Sequence, residues 1–179
     1  MRIRALGIAI LSFWIGLTLA MWFAATRSFR TVDRVLNQPA PELTTAVQPI
    51  GPDQTRAVFR YLASEINRTL FGAYGWAQII LGALLVLLLW LQTPRDRLGY
   101  ALAWVMLGLA LILSLVVQPW IVSIGRSIAF APRQPAPPAM ARFWMLHGAF
   151  TGLDGAKSLA GLGLLLRWIL TRQRIPSAS

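Results

Sequence analysis

Four stretches of this chain are apolar over lengths that surface helices rarely reach. They are residues 5–26 (ALGIAILSFWIGLTLAMWFAAT), 71–92 (FGAYGWAQIILGALLVLLLWLQ), 99–118, and a run from Met140 to about Thr171. A helix needs about 20 apolar residues to cross the hydrocarbon core of a bilayer. With their flanks, the four runs predict spans over about 5–28, 71–92, 99–124 and 140–171. Lipid offers no partner to a bare peptide group, so spanning segments are helices unless a barrel closes. The predicted fold class is therefore all-α, an integral membrane four-helix bundle in a single domain. The first run begins after Arg2 and Arg4, as a signal peptide would. Its apolar part exceeds the roughly 7–15 residues of a signal core, so it reads as a retained helix.

Polar and proline-rich stretches punctuate the runs. Residues 38–52 and 131–139 read as proline-rich loops, TPRDRLG as a tight turn, and RQRIPSAS as a tail. Between spans 1 and 2 the pattern predicts a short amphipathic helix over about 54–69, capped by Asp53. At 3.6 residues per turn, Phe59, Leu62, Ile66 and Leu70 share one face, with Arg56, Arg60, Ser64 and Asn67 opposite. That pattern suits a helix lying in the membrane interface, or one docked on the bundle. Pro119 predicts a kink, because its ring crowds the preceding turn and it lacks an N–H. Gly16 and Ala20 recur at four-residue spacing, as do Gly148 and Gly152 beside Gly155. Such small-residue rows predict close helix packing, within the chain or between copies.

Composition sharpens this picture. The 179 residues are 56% hydrophobic and only 13% charged, against about 45–50% and 25% for soluble domains. Eight tryptophans supply interfacial anchors. The net charge of +11 comes from arginines that flank apolar runs. That placement favours anionic headgroups as partners and argues against nucleic acid. The arginines divide almost evenly between the two sides of a four-span layout. The more compact cluster lies with the termini, which favours cytoplasmic termini in a bacterial inner membrane. There is no cysteine, so disulfides and thiolate ligands are excluded.

The candidate chemistry lies in the fourth run, FWMLHGAFTGLDGAKSLAGLGLLLRW. It holds the only histidine, His147, with Thr151, Asp154, Ser158 and the only lysine, Lys157. On an ideal helix Thr151, Asp154 and Ser158 fall within about 40° of His147, while Lys157 stands at about −80°. Asp154 and Lys157 are three residues apart and within reach of each other. An unpaired charge at the bilayer centre costs about 2.5–3.5 kcal/mol on insertion scales, so this seam is expected to face the bundle interior. Gln78, Thr18 and Ser114 are candidate partners from the other spans. The seam reads either as a packing lock or as a ligand, ion or proton site. His147 is also a candidate axial ligand for haem or chlorophyll. No second His or Cys is present to complete a protein-only metal site. No HExxH, glycine-rich nucleotide loop or GxSxG occurs, and no catalytic residue is expected.

FWIGLTLAMWFA in the first run, VVQPW around Pro119 and FWMLHGAFTGLDGAKSL opening the fourth carry a resemblance. The chain resembles the small bacterial membrane proteins of domain of unknown function 4149, related to the transmembrane protein 205-like proteins of eukaryotes. The resemblance implies a four-helix membrane protein without an assigned activity, with a faint pull toward transport. In that family an amide is usual where Asp154 stands, and the proline-rich inserts here are longer. The expected function is that of a non-enzymatic membrane component, an accessory subunit of a larger complex. The alternatives are a small oligomeric transporter or ligand-binding protein using the seam, and a pigment- or haem-holding subunit. No cofactor is required by the first reading.

Overall fold

The computed structural model describes residues 2–92, 96–131 and 135–172. Parts of the predicted TPRDRLG turn and 131–139 loop, and the tail past Arg172, lie outside these residues. The described chain is all-helical, as the apolar runs predict. Helix α1 covers Arg2–Asn37, α2 Pro41–Val47, α3 Pro52–Trp90, α4 Arg97–Ile112, α5 Gln118–Ser127 and α6 Pro138–Arg172. A 3-10 turn at Gln48–Ile50 precedes α3, and a π-helical segment, Leu113–Val117, joins α4 to α5. Three helices are long and apolar enough to cross a membrane: residues 3–37, 52–90 and the continuous 97–127. Helix α6 has 35 residues, but His147, Asp154 and Lys157 interrupt its apolar run.

The four long segments pack side by side. Helix α1 lies against α3 and α6, and α4 lies against the same two. Their buried positions follow a 3-4 spacing. On α1 the buried row is Gly7, Leu11, Trp14, Thr18 and Met21; on α4 it is Gly99, Ala103, Met106, Ala110 and, into the π segment, Leu113. On α6 the inward row is Phe143, His147, Phe150, Asp154, Lys157, Gly161, Leu164 and Trp168. A 3.5-residue repeat of this kind keeps one seam facing its neighbours, as in left-handed bundles. The opposite faces expose large apolar side chains along their length, among them Phe13, Leu19, Trp76, Leu87, Val105, Leu115, Leu159 and Leu166. The exposed Trp104 and Trp120 sit sixteen residues apart, about 24 Å along the helix, close to the thickness of a hydrocarbon core.

Several sequence expectations change. Residues 54–69 are not a separate interfacial helix. They are the first half of the 39-residue α3, packed along the extension of α1 to Asn37. Leu62, Ile66 and Leu70 face outward, as an interfacial helix would place them, while Ala63 and Asn67 are buried. Packing chose the small and polar side because Asn67 finds the Ser28 hydroxyl at 2.9 Å and the arginines find Asp33. Asp53 lies in the first turn, and Gly51 is the N-cap residue, at φ 75°, a conformation glycine adopts without strain. Residues 29–53 are largely helical, in the end of α1 and in α2.

Pro119 does not break its helix. The π-helical segment Leu113–Val117 ends two positions before it, and the helix runs on to Ser127. The wider turn makes room for the ring and shifts the hydrogen bonds that proline cannot complete. The small-residue rows do not mediate packing within the chain. Gly16, Ala20, Gly148 and Gly152 are exposed, and a Cβ at any of the three glycines would touch nothing within 4 Å. Gly155 has only Trp22 near, at 3.7 Å. Close approaches occur elsewhere, among them Gly7 against Trp168, Gly82 against Leu107 and Trp14, and Gly161 against Met106. All three lie on buried rows.

Candidate functional site: a buried ion pair beneath an open vestibule

Asp154 and Lys157 stand on the inward face of α6 and have no solvent exposure. Lys157 Nζ donates to Asp154 Oδ1 at 2.5 Å. Helix α1 adds the Trp22 indole N–H, which donates to Asp154 Oδ2 at 3.2 Å. Helix α3 adds Tyr74, whose hydroxyl lies 2.8 Å from Thr18 Oγ1 and 3.2 Å from both carboxylate oxygens. The single phenolic proton goes to Thr18 or is shared by the two oxygens. Thr18 itself donates to the Trp14 carbonyl at 3.0 Å. The ammonium of Lys157 lies 5.5 Å from the ring centroids of both Trp14 and Tyr74, so two aromatic faces share the charge that Asp154 does not neutralise. Three helices thus close on one carboxylate.

The predicted seam divides. Asp154 and Lys157 are together, but Thr151 is exposed and donates to the His147 carbonyl at 2.9 Å. Ser158 donates likewise to the Asp154 carbonyl at 2.8 Å. His147 is half-buried about two turns from Asp154, stacked on Phe143 at 5.8 Å and edge-on to Trp144 at 5.9 Å. Centring the inward face on His147 was wrong by about 50°. The buried row is centred between Asp154 and Lys157, which turns Thr151 out.

Of the proposed partners from other spans, only Thr18 joins. Gln78 is fully buried, yet both its amide atoms lack hydrogen-bond partners among the described residues, and so does Ser114 Oγ. A small cavity of about 110 Å³ lies beside Ser114, lined also by Gly75 and Gln118 where the π segment widens the helix. Such a cavity has room for ordered water, the usual partner of orphaned buried polar groups. Tyr74, Trp14 and Trp22 were not singled out from the sequence. Trp14 and Tyr74 occupy buried-row positions one turn from Thr18 and Gln78, and that register is the signal that identifies them.

Above the ion pair the bundle opens. A cavity of about 390 Å³ lies among α1, α3, α5 and α6, at the end away from the chain termini. Phe71 and Phe150 form its floor, edge to face at 5.8 Å. Phe71 precedes Tyr74, and Phe150 precedes Asp154, by one turn each. The walls include Phe29, Tyr61, Phe143 and His147, and Arg60 and Arg68 project at its rim. Arg60 pairs with Asp33 at 3.2 Å, and Arg56 reaches the same carboxylate at 3.5 Å. Glu65 is likewise shared by Arg68 and by Arg126, the latter at 3.1 Å.

A second polar cluster holds the other end. Asp96 caps α4 by accepting from the Gly99 N–H at 3.0 Å. It also accepts from Arg167 at 2.8 Å and from the Trp168 indole at 2.9 Å. Burial pushes the Asp96 carboxyl up, but the bonds from Trp168, Gly99 and Arg167 outweigh it and hold it below the usual range. Arg4 donates to the Trp168 carbonyl and ties α1 to the same point.

Among the described residues no three His, Cys, Asp or Glu side chains come together as a metal site would need. Comparisons with family models, with characterised proteins and with solved structures found no match to this chain.

Proposed function

We propose that this protein is a non-enzymatic component of a membrane, an accessory subunit that packs with larger partners, with α6 as its fourth span. The observation that carries this reading is the closure of the Asp154–Lys157 pair. Both side chains are buried, Asp154 is bonded by residues from three helices, and neither lines the vestibule. A site that hands over an ion or proton needs an open side, whereas a lock does not. The fourth span is supported by the outward face of α6, where Trp144, Met145, Leu159, Leu166 and Leu170 are exposed. Asp154 and Lys157 lower the average hydropathy of the helix but point inward. Four spans put both termini on one side, and we place them in the cytoplasm of a bacterial cell. The chain has no cysteine, so a single cysteine introduced at Thr45 reads the opposite side directly, and labelling from the cytoplasm would refute the orientation.

The rows at Gly16 and Ala20 and at Gly148 and Gly152, unused within the chain, suit contact with a partner helix. Purification from the native membrane in a mild detergent tests the function, with mass spectrometry of the intact particle. The expected result is a fixed ratio to larger subunits, retained when Asp154 becomes Asn. Isolation as a lone homo-oligomer would sink the accessory reading and favour a transporter. One observation favours the alternative of a ligand-binding protein: the vestibule is open, while the ion pair is not.

A further inference from the structure

The vestibule combines features that belong to neither a packing defect nor a water-filled loop. Its volume of about 390 Å³ lies within the range of ligand cavities. Its walls are largely aromatic and aliphatic, and its floor is sealed by Phe71 and Phe150. Its rim is cationic. Arg56 and Arg60 share one carboxylate, Asp33, and Arg68 and Arg126 share another, Glu65. Arg60 and Arg68 line the cavity, and with Arg56 and Arg126 behind them four guanidinium groups stand against two carboxylates, a local surplus of two positive charges. Arg68 is largely buried and leans across the cavity toward Gly125 of α5. Arg60 lies over Phe29 at 5.6 Å.

The depth of the cavity is set by its surroundings. Trp144 lines it and is exposed, and Trp120, next to the lining residue Ile121, is exposed too. Exposed indoles mark the headgroup layer. A cavity that is apolar inside, cationic at its mouth and set at headgroup depth matches a molecule with an anionic head and an apolar body. Arginine is the side chain suited to a phosphate, which it grips through two parallel donors.

From this complementarity we propose that the vestibule binds one anionic phospholipid. Its headgroup phosphate sits between Arg60 and Arg68, and the start of an acyl chain lies against Tyr61, Phe143 and Phe150. Bound there, the lipid bridges α1, α3, α5 and α6 and fills the gap that the bundle leaves above its ion pair.

The test is native mass spectrometry of the full chain in a non-ionic detergent, with equimolar phosphatidylglycerol and phosphatidylcholine. The expected result is a single phosphatidylglycerol adduct favoured about tenfold or more, as two arginines at headgroup depth would give. Arg60→Gln with Arg68→Gln removes the preference. Val122→Trp, which fills the cavity and leaves every charge in place, removes the adduct. Circular dichroism and the thermal midpoint establish that each variant is folded, and Arg60→Gln alone, at a half-buried position, gives an intermediate preference. Equal binding of the two lipids overturns the proposal. So does a preference that survives Val122→Trp, which would place the lipid on the outer surface. Displacement of the adduct by millimolar inorganic phosphate also overturns it, because the ligand would then be a free anion.

Discussion

Asp154 and Lys157 sit one turn apart on α6, but what makes the pair tolerable comes from elsewhere in the chain. Trp22 and Tyr74 bond the carboxylate, and the Trp14 and Tyr74 rings face the ammonium. A buried pair contributes little net stability, because desolvation offsets attraction, whereas a buried charge without its partner is costly. Asp154→Ala strands Lys157 between two rings and is expected to cost about 3–5 kcal/mol. Asp154→Leu combined with Lys157→Met, which removes both charges and keeps the volume, is expected to restore most of that loss. Unfolding of the purified chain in mixed micelles measures both. Wild-type stability for the single variant would show that the pair holds nothing together.

At the scale of elements, the 3-4 spacing of buried positions decides which small residues matter. Gly82 lies where α3 meets α1 and α4, and a Cβ there would stand 3.0 Å from Leu107 Cδ1 and 3.1 Å from a Trp14 ring carbon. Gly82→Leu therefore overpacks the core and is expected to cost about 1–3 kcal/mol. Gly152→Leu meets open space and is expected to leave the unfolding midpoint unchanged, within about 0.5 kcal/mol. A matching loss at both glycines would contradict the packing described here. The π-helical segment belongs to this scale too. Pro119 alone predicts a kink. Its clash is absorbed over the five residues Leu113–Val117, and the cavity beside Ser114 lies where that widening meets Gly75.

The two ends of the molecule are held by different chemistry. At the terminal end, Asp96 joins the start of α4 to Arg167 and Trp168 of α6, with Arg4 of α1 on the same tryptophan. A carboxyl whose folded pKa is depressed adds stability that is present above its unfolded pKa. That stability is lost as pH falls through the folded value. For an aspartate the unfolded value is about 3.9, so the contribution of Asp96 is intact at neutral pH and fades below about pH 4. Thermal midpoints of wild type and Asp96→Asn are expected to differ at pH 7 and to converge toward pH 3. A gap that stays constant across that range would mean that Asp96 acts through shape rather than charge. At the opposite end the bundle stays open, ringed by arginines, and there the cavity is large enough for a ligand.

The sequence by itself determined the class of this protein. Long apolar runs, few charges and arginines at the flanks leave an all-helical membrane chain as the form that satisfies its backbone, because composition and length act locally and need no neighbour. It also determined that Asp154 and Lys157 must pair and face inward, since the cost of a lone charge in lipid is independent of topology. The tertiary structure decided the rest. Helix rotation turned Thr151 out and brought Tyr74 and Trp22 in. It set the inner face of the first half of α3, where Asn67 found Ser28 and Arg60 found Asp33, and it left the glycine rows of α1 and α6 on the outside. A single helix carries several stripes that would each serve as an inner face. Which one is buried depends on side chains 27 to 132 residues away, and no local pattern encodes that choice.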